Sequence, residues 1–459
     1  MMKLLVSLVL LVALAVAGAW IWAGRAAGPA IEIRQPAAFI GQSTSLDLMV
    51  EAPGGHFSRI DVAIEQNGRA LPVFALGQPA GATRTNAPDS ADRIYVMRPV
   101  GKSAIPQLQA GPARIVVRAA RPVLFGLREA ESTSIKEVQV RLEPPRVAVL
   151  STKHYINLGG AEFVVYRATP ADVESGVRVG DVTYPGFVAS AAGIPGDAST
   201  RVAFFALLHD QDVKTQMTVY ARDVAGNEAT TPLDHESFPK PFARSRIEVD
   251  DRFLQRVVPD IVSSTPGLHL STAPGDLARS FVAINRDIRQ RNAETILGVA
   301  KKTAPELLWR DAFAQLGNSK VESRFADRRT YFYQGKEIDQ QTHLGFDLAV
   351  TANIPVAAAQ RGTVALAQYL GIYGNCVIID HGLGVQSLYG HLSAIDVSVG
   401  AHLDKGQIIG KSGMTGLAGG DHLHFTMLVE GHPVNPVEWW DAKWMQDRVL
   451  RKIAEAGGA

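Results

Sequence analysis

Histidine and aspartate recur near the C-terminus in a pattern able to hold a metal ion and move protons. The runs are Thr342-His343-Leu344-Gly345-Phe346-Asp347, Ser387-Leu388-Tyr389-Gly390-His391-Leu392-Ser393 and Gly420-Asp421-His422-Leu423-His424-Phe425. Their four imidazoles together with Asp347 look like a site for a single zinc ion with two imidazoles to spare. Zinc takes neutral imidazole nitrogen and carboxylate oxygen, and a catalytic centre keeps three protein ligands plus an open position for water.

Spacing constrains how the chain must run. His343 and Asp347 on an extended strand would lie about 13 Å apart at ~3.3 Å per residue, too far for one ion. The segment must therefore bend, and Gly345 permits the bend. His422 and His424, two apart in a strand-like run, share one face. One of them can ligate the metal while the other faces the bound water or substrate. His391 is expected in a Tyr389-Gly390-His391 turn. Of the remaining histidines, His381, His402 and His432 belong to no metal motif, and His381 reads as structural. Cys376, the single cysteine, sits in an apolar run and reads as a small buried residue. A lone His-x-His pair is more often structural than catalytic. Its conjunction with His-x-x-x-Asp, Gly-His and glycine-punctuated strands is what makes the pattern specific.

Residues 321–440 resemble the lysostaphin-type (LytM-type) zinc metallo-endopeptidases, which cut the peptides of peptidoglycan. The resemblance rests on His343-x-x-x-Asp347, Val377-Ile378-Ile379-Asp380-His381-Gly382, Ser387 to Leu392, Lys405-Gly406-Gln407-Ile408-Ile409-Gly410, His422-Leu423-His424-Phe425 and Pro433-Val434-Asn435-Pro436, in order. It implies that His343, Asp347 and His424 ligate one Zn2+ and that His391 and His422 are catalytic without ligating. It also implies a compact antiparallel β core with a substrate groove across it. Two positions depart from the family's habit: Leu417-Ala418-Gly419-Gly420-Asp421 precedes the final pair, and Thr426 follows His-Phe where glutamate is common. No His-Glu-x-x-His occurs, and Glu430 would lie about 20 Å beyond His424 at strand rise. The spare histidines, whose ordinary pKa is near neutral, are thus expected to carry the protons or stabilise the oxyanion.

The rest of the chain must position that site. Residues 31–145 alternate polar and apolar, as at Leu46, Leu48, Val50 and Ile60, Val62, Ile64, with a hairpin turn at Asn67-Gly68. A β-sandwich is expected, ending at Pro144-Pro145. Residues 146–245 read as a second β domain, with Phe163, Val165, Val202, Phe204, Val219 and Ala221 inward and an immunoglobulin-like ending from Val219 to Glu228. Residues 246–318 read as a helical connector packed on the catalytic sheet, with a lid as the alternative. Asp250 should cap a short helix stopping near Pro259, Asp276 a helix carrying Leu277, Phe281, Ile284 and Ile288, and Thr303 a third carrying Leu307, Leu308 and Phe313. Residues 319–445 form the peptidase domain, and 446–459 a tail. Trp439, Trp440 and Trp444 are expected to pack the last helix rather than grip sugars. The expected fold is mainly β: a C-terminal antiparallel metallopeptidase domain behind two sandwich-like domains, a helical insert and an N-terminal transmembrane helix.

A chain of 459 residues with 46% apolar and 20% charged residues is a packed multidomain protein. Its net charge of +1 offers no electrostatic footprint for nucleic acid. Residues 1–30 decide the compartment. Between Lys3 and Arg25 no charge occurs, enough for one helical crossing of a bilayer, and Trp20 and Trp22 fall where the far interface would lie. The expectation is an inner-membrane anchor with the bulk of the chain in the periplasm or outside. The alternative is a signal peptide cleaved near Ala26 and Ala27. The function expected is hydrolysis of wall peptide cross-links. Its rival is a non-enzymatic wall-binding module that activates or positions another hydrolase. The sequence names no protein partner for the β domains.

Overall fold

Period-two alternation makes Ser45–Glu51 and Arg59–Gln66 strands whose inward residues are buried, from Leu46, Leu48 and Val50 on one to Ile60, Val62 and Ile64 on the other. These strands lie in different sheets of a sandwich, one of four strands and one of five, and share a single core. Asn67 and Gly68 join Arg59–Gln66 to Arg69–Ala75 with φ of 51° and 75°, as a two-residue hairpin of this hand requires. The computed structural model describes residues 2–52, 56–77, 83–85 and 92–458. The chain is mainly β and divides into two compact units, Met1–Pro145 with Arg222–Ala229, and Arg146–Ala221 with Thr230–Ala459.

The first unit begins with the helix Met2–Ala23, followed by the sandwich. Leu5–Ala23 is long and apolar enough to cross a membrane, and its large apolar side chains, from Leu5 to Trp22, are exposed.

The second unit carries the histidines. Phe163, Val165, Val202, Phe204, Val219 and Ala221 are all buried, as their alternation predicts. Their core continues without a break through Trp309, Phe313 and Trp439 into Phe346, Tyr389 and Phe425. Trp439 is fully buried against Phe204, Trp309 and Phe313, and Trp440 stacks on Phe425, so these two indoles pack within the fold.

The helical region departs from expectation in three places. Asp250 caps its helix as predicted, its carboxylate accepting the Phe253 amide at 2.7 Å. That helix, Asp251–Ser264, nevertheless runs through Pro259. An interior proline costs about 3 kcal/mol. Here the apolar stripe of Leu254, Val257 and Val258 continues to a fully buried Ile261 beyond the proline, which offsets about 1.5–3 kcal/mol per side chain. Asp276 precedes the helix Leu277–Ala283 but does not cap it, because its carboxylate takes the Ser271 hydroxyl and Arg279 instead. The helix expected after Thr303 does not form. Thr303 and the Ala304 amide both bond the Asp380 carboxylate at 2.7 Å, and the Leu307, Leu308 and Phe313 amides bond Ala191, His381 and Trp439 carbonyls. Tertiary acceptors replace helical ones, so Trp309 and Phe313 are buried from an irregular segment.

Two sheets frame the site. One is the three-stranded sheet of Arg244–Val249, Asp327–Tyr333 and Lys336–His343. The other has eight strands, among which Phe346–Ala349, His422–Val429 and Val385–Leu392 are consecutive antiparallel neighbours.

Candidate metal centre and cleft

The chain changes sheets between His343 and Asp347. His343 ends Lys336–His343 in the smaller sheet, and Asp347 is second in Phe346–Ala349 of the larger one, opposite His424 in register. The expected bend therefore exists, but the reason for Gly345 differs from the one expected. Its φ is not in the left-handed region. A Cβ there would instead lie 2.5 Å from His424 Nε2 and 2.6 Å from Thr426 Oγ1, so glycine is required by the closeness of the neighbouring strand.

Three donor atoms converge. His343 Nε2 is 2.9 Å from Asp347 Oδ1 and 3.1 Å from His424 Nδ1, and His424 Nδ1 is 3.1 Å from Asp347 Oδ1. All three residues are buried. Donors about 2.0 Å from a tetrahedral zinc would sit about 3.3 Å apart, so this set fits one ion. The outer atoms are also engaged, as metal ligands require. His343 Nδ1 faces the Arg324 carbonyl at 3.2 Å, His424 Nε2 faces Thr426 Oγ1 at 3.0 Å, and Arg329 donates from Nη2 to Asp347 Oδ2 at 2.8 Å.

The other two histidines stand beside this set. His391 does not lie in a turn. It belongs to strand Val385–Leu392, where the register with Asn375–Asp380 shifts and His391 takes φ 62°. Such a bulge re-aims a side chain. Its ring is 4.8 Å from that of His422 and 5.7 Å from that of His424. His391 Nδ1 is 2.8 Å from the Thr415 carbonyl and His422 Nδ1 is 2.8 Å from the Gly420 carbonyl. A carbonyl only accepts, so each Nδ1 carries a proton and each Nε2 is left for other partners. His422 Nε2 lies 3.4 Å from Asp347 Oδ1.

Burial and charge set the protonation states. Burial pushes the Asp347 carboxyl up, but the imidazoles of His343, His422 and His424 outweigh it and hold the group well below the usual carboxylate range. Burial lowers His424 to about 4. His391 is held well below its ordinary value by burial and by its two neighbouring histidines. His422 is raised: burial opposes its charge, but the hydrogen bond and charge of Asp347 prevail.

Arg329 carried no motif in the sequence. Its one signal was the alternation that puts Asp327, Arg329 and Tyr331 on one strand face. Besides Asp347 it bonds Ser323 at 2.7 Å and Asp327 at 3.3 Å. The five sequence-selected residues line a cleft of about 310 Å³, whose walls include Phe253 and Arg289 from the helical region. A larger cavity of about 890 Å³, lined by Phe242, Phe325, Trp440 and Trp444, contains none of the five. His381 is buried between the Arg361 carbonyl and Ser387, His402 bonds Thr363, and His432 packs against Tyr184, so none joins the cleft. Cys376 is fully buried and its thiol raised by burial. Glu430 follows the far end of strand His422–Val429 and is absent from the cleft lining.

Known proteins align with this region. The profile of peptidase family M23 matches residues 341–436. The DD-carboxypeptidase/endopeptidase Mpg of Neisseria meningitidis is 42% identical over 95 residues, 21% of this chain and 22% of that protein. The peptidoglycan DD-endopeptidase ShyA of Vibrio cholerae is 40% identical over 96 residues, 21% of this chain and 22% of its own. The murein hydrolase activator EnvC of Escherichia coli is 37% identical over 95 residues, 21% and 23% of the two chains. The match thus spans about a fifth of these relatives. Among solved structures, the catalytic domain of lysostaphin from Staphylococcus simulans is 28% identical, with a TM-score of 0.23 over 27% of this chain and 92% of that one. Residues 341–436 of this chain, which hold the five converging side chains, are a peptidase family M23 domain.

Proposed function

We propose that this chain is a zinc-dependent endopeptidase that hydrolyses peptide cross-links of peptidoglycan, with His343, Asp347 and His424 holding one Zn2+ and His391 and His422 moving protons. The convergence of three lone-pair donors within 2.9–3.1 Å, each with its outer atom engaged, carries this reading. Kinship to relatives named as DD-endopeptidases supports the substrate class. Zinc, when bound, lowers the pKa of its water and polarises the scissile carbonyl. In the hydrolysis, the water oxygen bonds the carbonyl carbon, the C–N bond breaks, and one water proton ends on the departing amine. His391, with its proton fixed on Nδ1, offers a bare Nε2 to take that proton. His422, whose charged form Asp347 favours, carries a second proton on Nε2 and directs that N–H to the oxygen where negative charge develops, while the amine receives its proton from His391.

The helix Met2–Ala23 is proposed as an uncleaved anchor, which would place the M23 domain in the cell envelope beside its substrate. The rival reading, an activator without activity of its own, draws on the EnvC relative. Both are tested together: wild type, His391→Ala and His422→Ala are incubated with purified peptidoglycan, and zinc content is measured in parallel. Both variants should keep zinc and fold and lose at least about a hundredfold in turnover, the usual worth of acid–base help or an oxyanion donor. If zinc-loaded wild type cuts nothing but stimulates a separate wall hydrolase, and the variants stimulate equally, the activator reading replaces this one.

A further inference from the structure

The cleft has two guanidiniums, and only one is neutralised. Arg329 is spent on Asp327 and Asp347. Arg289 lines the same cleft from the helix Arg289–Ala300, outside the matched family domain. It donates from Nε to the Asn285 carbonyl at 3.2 Å and from Nη2 to Asn285 Oδ1 at 2.7 Å. Among the described residues no carboxylate pairs with it, and Nη1 has no protein acceptor.

This arrangement is rigid. Asn285 is fully buried, and its Nδ2 donates to Asp339 Oδ2 at 2.8 Å, so its amide oxygen is fixed toward Arg289. One turn on, Asn292 Oδ1 accepts the Ile372 amide at 3.0 Å. That bond ties the helix to the segment carrying Tyr373, whose ring lies 5.3 Å from that of His424. Arg289, Tyr373 and His424 line the same cleft, so the guanidinium shares it with a ring packed against the metal centre. A positioned fork with free N–H groups beside a peptide-cutting centre suits a planar carboxylate.

We propose that Arg289 recognises a free carboxylate on the peptide substrate, close to the bond that is cut, and so selects peptides that carry one. This rests on the endopeptidase reading of the cleft. The test pairs two substrates with two enzymes: a cross-linked wall peptide with free carboxylates and the same peptide with its carboxylates amidated, each given to zinc-loaded full-length wild type and Arg289→Gln. Wild type should prefer the carboxylate form by about 10- to 100-fold in kcat/KM, the usual worth of a hydrogen bond to a charged group. In Arg289→Gln that ratio should collapse toward one, and Arg289→Lys should keep part of it.

A variant that loses activity on both peptides equally and keeps the ratio assigns Arg289 a structural role and overturns the proposal. So does a wild type that cuts both peptides alike. If zinc-loaded wild type cuts neither, the endopeptidase reading has failed, and calorimetric binding of both peptides to wild type and Arg289→Gln decides the carboxylate subsite. A binding preference absent from the variant sustains it, and equal binding ends it.

Discussion

The carboxylate of Asp347 divides its two oxygens between partners of different kinds, Oδ1 among imidazoles and Oδ2 on Arg329. On the proposed ligand set, removing His343, Asp347 or His424 would take away one of three ligands. Each alanine variant should therefore purify without zinc, and full occupancy in His424→Ala, read by atomic absorption, would show the ligand set to be misassigned. Arg329 has no part in the proposed ligand set and is expected to act by fixing Asp347 through Oδ2. Arg329→Ala should weaken zinc binding by about 10- to 100-fold, the usual worth of such a partner. Competition against a chromogenic chelator measures this, and Arg329→Lys should recover part of the loss. A merely structural residue would lower thermal stability and leave the zinc affinity of the folded fraction unchanged.

At the scale of elements, the last helices are tied to the second β region by a buried acid. Glu438 in the helix Pro436–Trp440 accepts from Asn157 Nδ2 at 2.7 Å and from the Ala161 amide at 2.8 Å. Burial nevertheless raises its pKa from 4.5 to about 7, against the pull of those two donors. The folded state therefore holds this proton more tightly than the unfolded chain does. Its contribution is fully present below pH 4.5 and is lost as pH rises to about 7. At about 1.36 kcal/mol per unit, the loss across that window is about 3 kcal/mol. Urea unfolding at several pH values should show a steeper fall between pH 4.5 and 7 in wild type than in Glu438→Gln. Identical slopes would mean that Glu438 is ionised throughout. The same packing explains the segment from Thr303 to Phe313, whose amides find acceptors on Ala191, His381 and Trp439 rather than within a helix.

For the whole molecule, function depends on where the N-terminal helix takes the chain. Leu5–Ala23 is apolar and exposes its large side chains, and an uncleaved span should keep the mature protein in the membrane fraction with its original N-terminus. Terminal sequencing of the mature form checks this; a soluble species starting between Ala26 and Ala30 would indicate a cleaved signal peptide instead. The helical region matters at this scale too, since Arg256 donates to the Ala418 carbonyl, and Tyr369 donates to Asp260 at 3.0 Å. Those bonds hold the region that supplies Phe253 and Arg289 to the cleft, which residues 341–436 do not line by themselves.

Features set by near neighbours were legible in the sequence. The hairpin at Asn67-Gly68 needs only two residues able to take positive φ, and the cap at Asp250 needs only an amide three residues on. The five cleft residues were also found, because their spacing in three short runs is itself the signal. Tertiary structure alone decided the rest. Arg329 reaches the cleft because its strand pairs beside His343, and Arg289 because its helix packs there; local alternation gives a strand face for Arg329 but not its partners. His391 is aimed by a bulge that exists only against its partner strand. Gly345 is needed because His424 lies 2.5 Å from where a Cβ would stand. In each case the deciding free energy comes from a residue distant in the chain, and local spacing carries no record of it.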